Sequence, residues 1–206
     1  MQRNKKKLMN YVEVFGSGTP IELGCKNTLA GLRQATKGSN KVEDGRWVSV
    51  NLSGVELPFI GEIDVESGGV IEIKTLWPAM DSTAKRGWKL KSIPNKPMSS
   101  HVSQVALYWA WLKKQADNVP VKIIYANCRG YRVFTSEDCE DLSESRLNEA
   151  LDRLRTIAQV RENLMKFAFE NDKDLFSLVA PDFAHWMWTN VPPQYRSEAQ
   201  KTWGIA

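Results

Sequence analysis

Two carboxylates and a lysine lie close together in this sequence, in two short segments that have the composition of β-strands. The segments are GEID at residues 61–64 and IEIK at residues 71–74. Carboxylate oxygens bind hard divalent cations, and an ammonium group stabilises negative charge that develops on a reacting phosphate. This set of groups suits metal-assisted cleavage of a phosphodiester bond.

The register of a hairpin would bring these groups together. Residues 67–69 (SGG) have the composition of a three-residue hairpin loop, in which glycine supplies the left-handed position. Asp64 then lies opposite Glu72, with Cβ atoms about 4.5–5.5 Å apart. Like charges at this distance repel, so the pair requires a cation, for which Mg²⁺ is a natural choice. Lys74 projects from the same face because it lies two residues beyond Glu72.

A less specific interpretation of the hairpin is an exposed charge network on a half-buried sheet. In the same register Glu62 lies opposite Lys74, and an exposed ion pair of that kind contributes little to stability. A loop of two or four residues would also move Asp64 away from Glu72. Asp64 therefore faces Glu72 only if the loop has three residues.

The helix predicted at residues 101–115 favours the functional interpretation. Gln104 and Tyr108 are four residues apart, so they share one face of this helix, and both could point at the hairpin. Polar side chains on a helix that is otherwise rich in apolar residues require partners.

The remaining elements follow from hydrophobic periodicity and turn residues. The predicted order is α-β-β-β-α-β-β-α, with a long, functional or mobile loop at residues 77–100. The other predicted elements are a helix at 20–35, strands at 47–52, 55–65, 70–76, 121–127 and 131–134, and a long amphipathic helix at 140–170. We expect an α/β fold with a mixed central sheet flanked by helices.

Three motifs of the chain resemble the signatures of the PD-(D/E)xK nuclease superfamily, and most closely its RecB-like, phage-type exonuclease branch. The motifs are GEID at 61–64, IEIKT at 71–75 and HVSQVALY at 101–108. They match the G-x-I-D, hydrophobic-E-hydrophobic-K and Q-x-x-x-Y patterns of that family, in the same order. The resemblance covers about residues 20 to 135 and implies a restriction-endonuclease-like core.

The resemblance also implies roles for individual residues. Asp64 and Glu72 would bind Mg²⁺ or Mn²⁺, together with the backbone carbonyl of Ile73. Lys74 would position or activate water and stabilise the phosphate at which substitution occurs. These residues would form the catalytic set with two residues of the helix, Gln104 and Tyr108.

The same family usually carries an acidic residue on its first helix. Glu22 is the choice here because it opens the predicted helix, with Glu13 and Glu43 as alternatives. Some RecB-like nucleases also have a histidine near the first helix, whereas His101 is the first histidine of this chain. The three cysteines are dispersed and cannot supply the four ligands of an iron–sulfur cluster.

A stretch without acidic residues separates Asp81 from Asp117, although the net charge of the chain is only +4. Basic residues interleaved with aromatics suit a phosphate backbone and stacked bases. The alternative is a solvated loop followed by a helix with a partly buried aromatic face. The candidate DNA-binding residues of this stretch are Lys85, Arg86, Trp88, Lys89, Lys91, Lys96 and His101. For His101, beginning or capping the helix is the competing interpretation.

The composition favours one globular domain of residues 1–206, made of a basic segment (1–19), a nuclease core (20–135) and a helical C-terminal part (136–206). The aromatic residues of the tail from Pro181 to Trp203 predict a local core or a packed subunit contact, with base stacking as the alternative. No apolar run is long enough for a membrane span, and no apolar signal core follows the basic N-terminus. We therefore expect a cytoplasmic protein of a bacterium or phage-infected cell.

The sequence thus predicts a Mg²⁺- or Mn²⁺-dependent DNA exonuclease that functions in recombination, repair or degradation of DNA. A single-strand annealing or recombination protein would be a further partner. Two alternatives stay open. The first is a structure-specific or restriction-like endonuclease of the same fold, and the second is a non-catalytic DNA-binding module.

Overall fold

The computed structural model describes residues 18–39, 42–80, 83, 87–170 and 181–204. The chain divides into two compact units, one ending at Arg155 and one beginning at Thr156, where the composition led us to expect one domain. Glu13, Lys85 and Arg86 lie outside the described residues, as do the basic segment before Gly18 and residues 171–180.

The first unit is an α/β structure built on a mixed, open five-stranded sheet. The strand order is β1-β2-β3-β6-β7, in which β3 and β6 are parallel and every other pair is antiparallel. The strands are β1 (Glu43–Val50), β2 (Phe59–Glu66), β3 (Val70–Thr75), β6 (Val121–Asn127) and β7 (Gly130–Thr135). The helices are α1 (Pro20–Ala35), α2 (Ser99–Lys113) and α3 (Glu144–Glu170), the last of which continues into the second unit.

The order of the main elements confirms the predicted one, and so do the bounds of α1. Thr19 caps this helix by accepting a hydrogen bond from Glu22 N at 3.3 Å, and Pro20 occupies the first turn. Proline suits that position because its missing N–H would have no partner there. α2 begins at Ser99 and ends at Lys113, two residues earlier at each end than the sequence indicated.

The predicted long loop contains a small hairpin of its own. Its strands are β4 (Ala79–Met80) and β5 (Trp88–Lys89), which pair in an antiparallel two-stranded sheet. Trp88 packs beside Ile21 and Cys25 at the start of α1. Two-residue strands leave no periodic signal in a sequence, which explains why a loop was predicted.

The two faces of the sheet are covered by different helices. On one face Val105 of α2 packs with Val70 and Ile123 in the larger core cluster. On the other face Leu32 of α1 packs with Ile71 and Ile124. Adjacent residues of β3 and β6 are therefore buried on opposite sides, because strand side chains alternate. Position 72 then falls on the face that α2 covers.

The predicted helix at residues 140–170 has a break near its start. A 3₁₀ turn (Glu140–Leu142) comes first, and α3 follows after Ser143, whose extended backbone interrupts the helical path. The Ser143 hydroxyl accepts a hydrogen bond from Arg146 N at 3.4 Å and so caps α3. Leu147 is buried, whereas Ile157 and Val160 are 65 % and 54 % exposed.

The second unit contains a 3₁₀ turn (Trp186–Asn190) and the helix α4 (Pro193–Thr202). Phe183 lies 4.5 Å from Trp188 and 6.4 Å from Trp203, measured between ring centroids. The guanidinium of Arg196 donates to the Phe183 carbonyl at 2.9 Å. These contacts form the local aromatic core that the sequence predicted. Among the described residues, no helix is both long and apolar enough to cross a membrane.

Candidate active site

The hairpin between β2 and β3 has the register that the sequence predicted, but only near its turn. Val65 pairs with Ile71 and Glu66 with Val70, and Gly68 adopts a left-handed φ of 66° in the three-residue loop. Beyond Val65 the backbone pairing stops, because Ile73 N donates to the Asp64 carboxylate (Oδ2) at 2.8 Å. The strands therefore separate at Asp64, and a side chain accepts the hydrogen bond that a strand carbonyl would otherwise take.

Glu72 is the most buried acidic side chain that the structure describes, with only 2 % of the residue exposed. Burial and the negative charge of Asp64 raise the pKa of Glu72 to about 7, despite the opposing effect of Lys74. The two carboxyl groups thus interact, as the register argument required. A carboxylate in such a place requires either a proton or a nearby cation to compensate its charge.

One oxygen of Glu72 has an ionic partner and the other has none. Oε1 lies 2.6 Å from Lys74 Nζ, but Oε2 has no hydrogen-bond donor among the described residues. A buried acceptor without a partner costs about 1–3 kcal/mol, and more when it is charged. A cation bound at the Oε2 atom would therefore remove the largest unfavourable contribution, because it would give this buried oxygen a partner.

Lys74 connects the carboxylates to α2. Its ammonium group donates to Gln104 Oε1 at 2.8 Å as well as to Glu72. The amide nitrogen of Gln104 in turn donates to the Tyr108 hydroxyl at 3.0 Å. The structure thus brings together the predicted hairpin residues and the predicted helix pair. Lys74 pairs with the buried Glu72, so the exposed pair with Glu62 that the sequence left open is not what forms at this lysine.

Tyr108 reaches this network through a space that a glycine leaves. A Cβ atom at Gly61 would lie 2.8 Å from both the ring and the hydroxyl oxygen of Tyr108. The phenol is 4 % exposed, and burial raises its pKa above the ordinary value. In the sequence, Gly61 stands out only as part of the GEID motif. Its packing role becomes visible only when β2 and α2 are placed together.

His101 lies in the first turn of α2 and faces Tyr125. Its Nδ1 is 2.6 Å from the Tyr125 hydroxyl, which also accepts a hydrogen bond from Met98 N at 3.0 Å. Burial, followed by the positive charge of Lys74, lowers the pKa of His101. Met98, not His101, is the N-cap residue of the helix. A contact of His101 with DNA stays a prediction.

The candidate acidic residue of the first helix is engaged locally. Glu22 forms an ion pair with Lys26 at 2.9 Å and accepts a hydrogen bond from Gly18 N. Within the part of the chain that the structure describes, no three His, Cys, Asp or Glu side chains form a group that could hold a metal ion. The structure therefore does not gather Glu22 with Asp64 and Glu72.

The described part of the basic segment presents charge to solvent. Lys89, Lys91 and Lys96 are exposed, whereas Trp88 is half-buried beside α1. The side chain of Asn127, which is 4 % exposed, donates to the Lys91 carbonyl at 2.8 Å. This contact attaches the segment to the end of β6. Asn127 was not among the predicted site residues, because asparagine at a strand end is typical of an ordinary turn.

Comparison of the chain with protein-family models, with curated protein sequences and with solved structures found no match.

Proposed function

We propose that this protein is a Mg²⁺- or Mn²⁺-dependent deoxyribonuclease with a restriction-endonuclease-like core, and that it acts as an exonuclease. The observation that carries the proposal is the buried carboxylate of Glu72, which pairs with Lys74 and is repelled by the negative charge of Asp64. A buried carboxylate is costly, so a structural role alone gives little reason for one next to a second acidic side chain, that of Asp64.

The donor set supports a divalent cation at this place. Asp64 and Glu72 supply carboxylate oxygens, Glu72 Oε2 is buried without a donor, and the Ile73 carbonyl is the predicted third ligand. Mg²⁺ is commonly bound by one or two carboxylates, with water and substrate phosphate completing its shell. When bound, such an ion neutralises phosphate oxygens and lowers the pKa of water.

The side chains around the carboxylates would then act on the substrate. The ammonium group of Lys74 is positioned by the Gln104 amide, and it can hold an attacking water or stabilise charge on the phosphate. Tyr108 fixes the amide of Gln104, so that its carbonyl oxygen faces the lysine. Catalysis of this kind depends on positioning, since a donor shifted by about 1 Å can lose on the order of 100-fold in rate.

DNA is the proposed substrate because exposed positive charge lies on the segment that leads to α2. Lys89, Lys91 and Lys96 are exposed there, and no acidic residue interrupts the sequence between Asp81 and Asp117. Lysines of this kind attract a phosphate backbone without reading its sequence. A membrane is not among the proposed partners.

A nuclease assay tests the proposal directly. End-labelled single- and double-stranded DNA is incubated with the protein in Mg²⁺, in Mn²⁺ and in EDTA. We expect release of nucleotides from the ends of linear DNA only when a divalent ion is present. Covalently closed circular DNA should stay intact, and its cleavage would indicate an endonuclease instead.

Two variants provide the matched comparison for this assay. Lys74→Ala should lose activity, whereas Lys113→Ala removes a half-buried lysine that pairs with the exposed Glu144 and should retain it. Equal activity of Lys74→Ala and the wild type would contradict the proposal. DNA binding without hydrolysis under any metal condition would identify a binding module.

A further inference from the structure

A cavity of about 380 Å³ adjoins the candidate active site, between the β1–β2 pair and α2. We call it the side cavity. Val48, Val50 and Phe59 supply much of its apolar wall, and Ile60, which is 71 % exposed, lies at its rim. Its size and mostly apolar lining are typical of small-molecule sites, which span roughly 300–1,000 Å³.

The side cavity is joined to the catalytic cluster through two shared residues. Gln104 and Tyr108 line it, and the same Gln104 amide accepts a hydrogen bond from Lys74 at 2.8 Å. Ser100 and Ser103 add hydroxyl groups to the wall that α2 contributes. A bound molecule would therefore contact aromatic and aliphatic surfaces and a few hydrogen-bonding groups. One of these groups, the Gln104 amide, is itself bonded to Lys74.

These surroundings fit a flat, aromatic, hydrogen-bonding group that is attached to a phosphate. A nucleobase has this chemistry, since its faces stack on aromatic rings and its edge carries donors and acceptors. Phe59 supplies a half-buried ring on which a base can stack, while serine and glutamine side chains can adapt to different base edges.

We propose that the side cavity binds one nucleobase of the nucleotide next to the phosphate that is cleaved. This inference rests on the proposed nuclease function and adds a base-binding site to it. A base inside the cavity cannot remain stacked in a duplex. The protein should therefore act on single strands, or on duplex ends whose terminal pair opens before cleavage.

The test uses single-stranded oligonucleotides in which one nucleotide lacks its base. The missing base is placed in turn at each position near both ends, and kcat/KM is measured in Mg²⁺ for every substrate. We expect a loss of about ten-fold at one position, which lies next to the cleaved bond, because one base–aromatic contact is worth about 1–3 kcal/mol. Removal of the base elsewhere should change kcat/KM little.

Two variants test whether the loss of kcat/KM on removal of the base depends on the residues that line the side cavity. Ser103→Trp fills the cavity from a half-buried position on α2, and Phe59→Ala removes a ring. In both, intact and abasic substrates should be hydrolysed at similar rates, so that the ten-fold difference shrinks toward one. Thermal unfolding of each variant checks that it folds, and either variant suffices if the other does not.

The matched control removes an aromatic residue from the same sheet but not from the cavity. Trp47 of β1 is 67 % exposed, and Trp47→Ala should keep the ten-fold difference. The inference is overturned if the wild type shows no position-dependent loss, or if Ser103→Trp and Trp47→Ala behave alike. Absence of all metal-dependent hydrolysis by the wild type would instead overturn the proposed function, and this inference with it.

Discussion

Lys74 Nζ lies 2.6 Å from Glu72 Oε1, and the carboxylate of this pair is almost completely buried. Its lysine is less enclosed, with 21 % of the side chain exposed. The pair therefore has one partner that is shielded from bulk solvent and one that can contact a substrate directly. Replacement of Lys74 should therefore lower catalytic activity, whereas replacement of Glu72 should also change the stability of the protein.

Lys74→Ala should reduce kcat about 100- to 1,000-fold, the usual cost of losing one donor to a reacting oxyanion. Single-turnover hydrolysis of labelled DNA in Mg²⁺ measures this effect. Lys113→Ala serves as the control, because its ammonium group contacts an exposed carboxylate on α3. A similar loss in both variants would indicate a general effect of reduced positive charge.

Glu72→Gln should make the metal-free protein more stable at pH 8 but not at pH 5. The folded-state pKa of Glu72 is about 7, above its ordinary value of 4.5, so the folded protein binds the extra proton between these values. The stabilisation that comes from protonated Glu72 is fully present below pH 4.5, and it is lost as the pH rises through 7. The gain at pH 8 is at most about 3 kcal/mol.

Urea unfolding of wild type and Glu72→Gln in EDTA, at both pH values, measures this difference. Mg²⁺ should stabilise the wild type at pH 8 and have little effect on the variant. A difference between the two proteins that stays the same at both pH values would contradict the assigned pKa shift.

Metal binding should depend on Asp64 but not on Glu22. Calorimetric titration with Mn²⁺ should show uptake by the wild type and by Glu22→Gln, because Glu22 is engaged by Lys26 on its own helix. Asp64→Asn should lose most of this affinity, since a neutral amide replaces a charged ligand. Loss of affinity in Glu22→Gln would place the first helix in the metal site.

Gly61→Ala should destabilise the protein by about 1–3 kcal/mol and lower its activity, because the new methyl group overlaps Tyr108. Gly130→Ala is the control, as a Cβ atom there meets nothing within 4 Å. In a Tyr108→Leu background the cost of Gly61→Ala should fall, which a double-mutant cycle would detect. Additive effects of the two substitutions would show that the overlap is relieved in another way.

The sequence predicted those parts of the fold that depend on local patterns. α1 has a capping threonine and an N-terminal proline, and β6 is mostly apolar with Lys122 as its one charged residue, so both were predicted with correct bounds. The register near Val65 was also predicted correctly, because the three-residue loop that sets it is a local feature of the sequence. The separation of the strands at Asp64 was not predictable, because it arises when a side chain replaces a strand carbonyl as the acceptor.

Contacts between distant elements were also beyond reach of the sequence. The carboxamide of Gln104 was expected near the hairpin from its spacing to Tyr108, but its bond to Lys74 depends on how α2 crosses the sheet. The space at Gly61 and the attachment of Lys91 by Asn127 likewise require a tertiary arrangement.

The hydrogen bond from Ile73 N to Asp64 makes the main chain itself part of the candidate site. Every amino acid except proline carries this N–H, so nineteen residue types at position 73 would still supply the donor. The orientation of Asp64 should therefore not depend on which side chain is present at position 73. A search for variants that misdirect this carboxylate without touching it should therefore begin with Ile73→Pro.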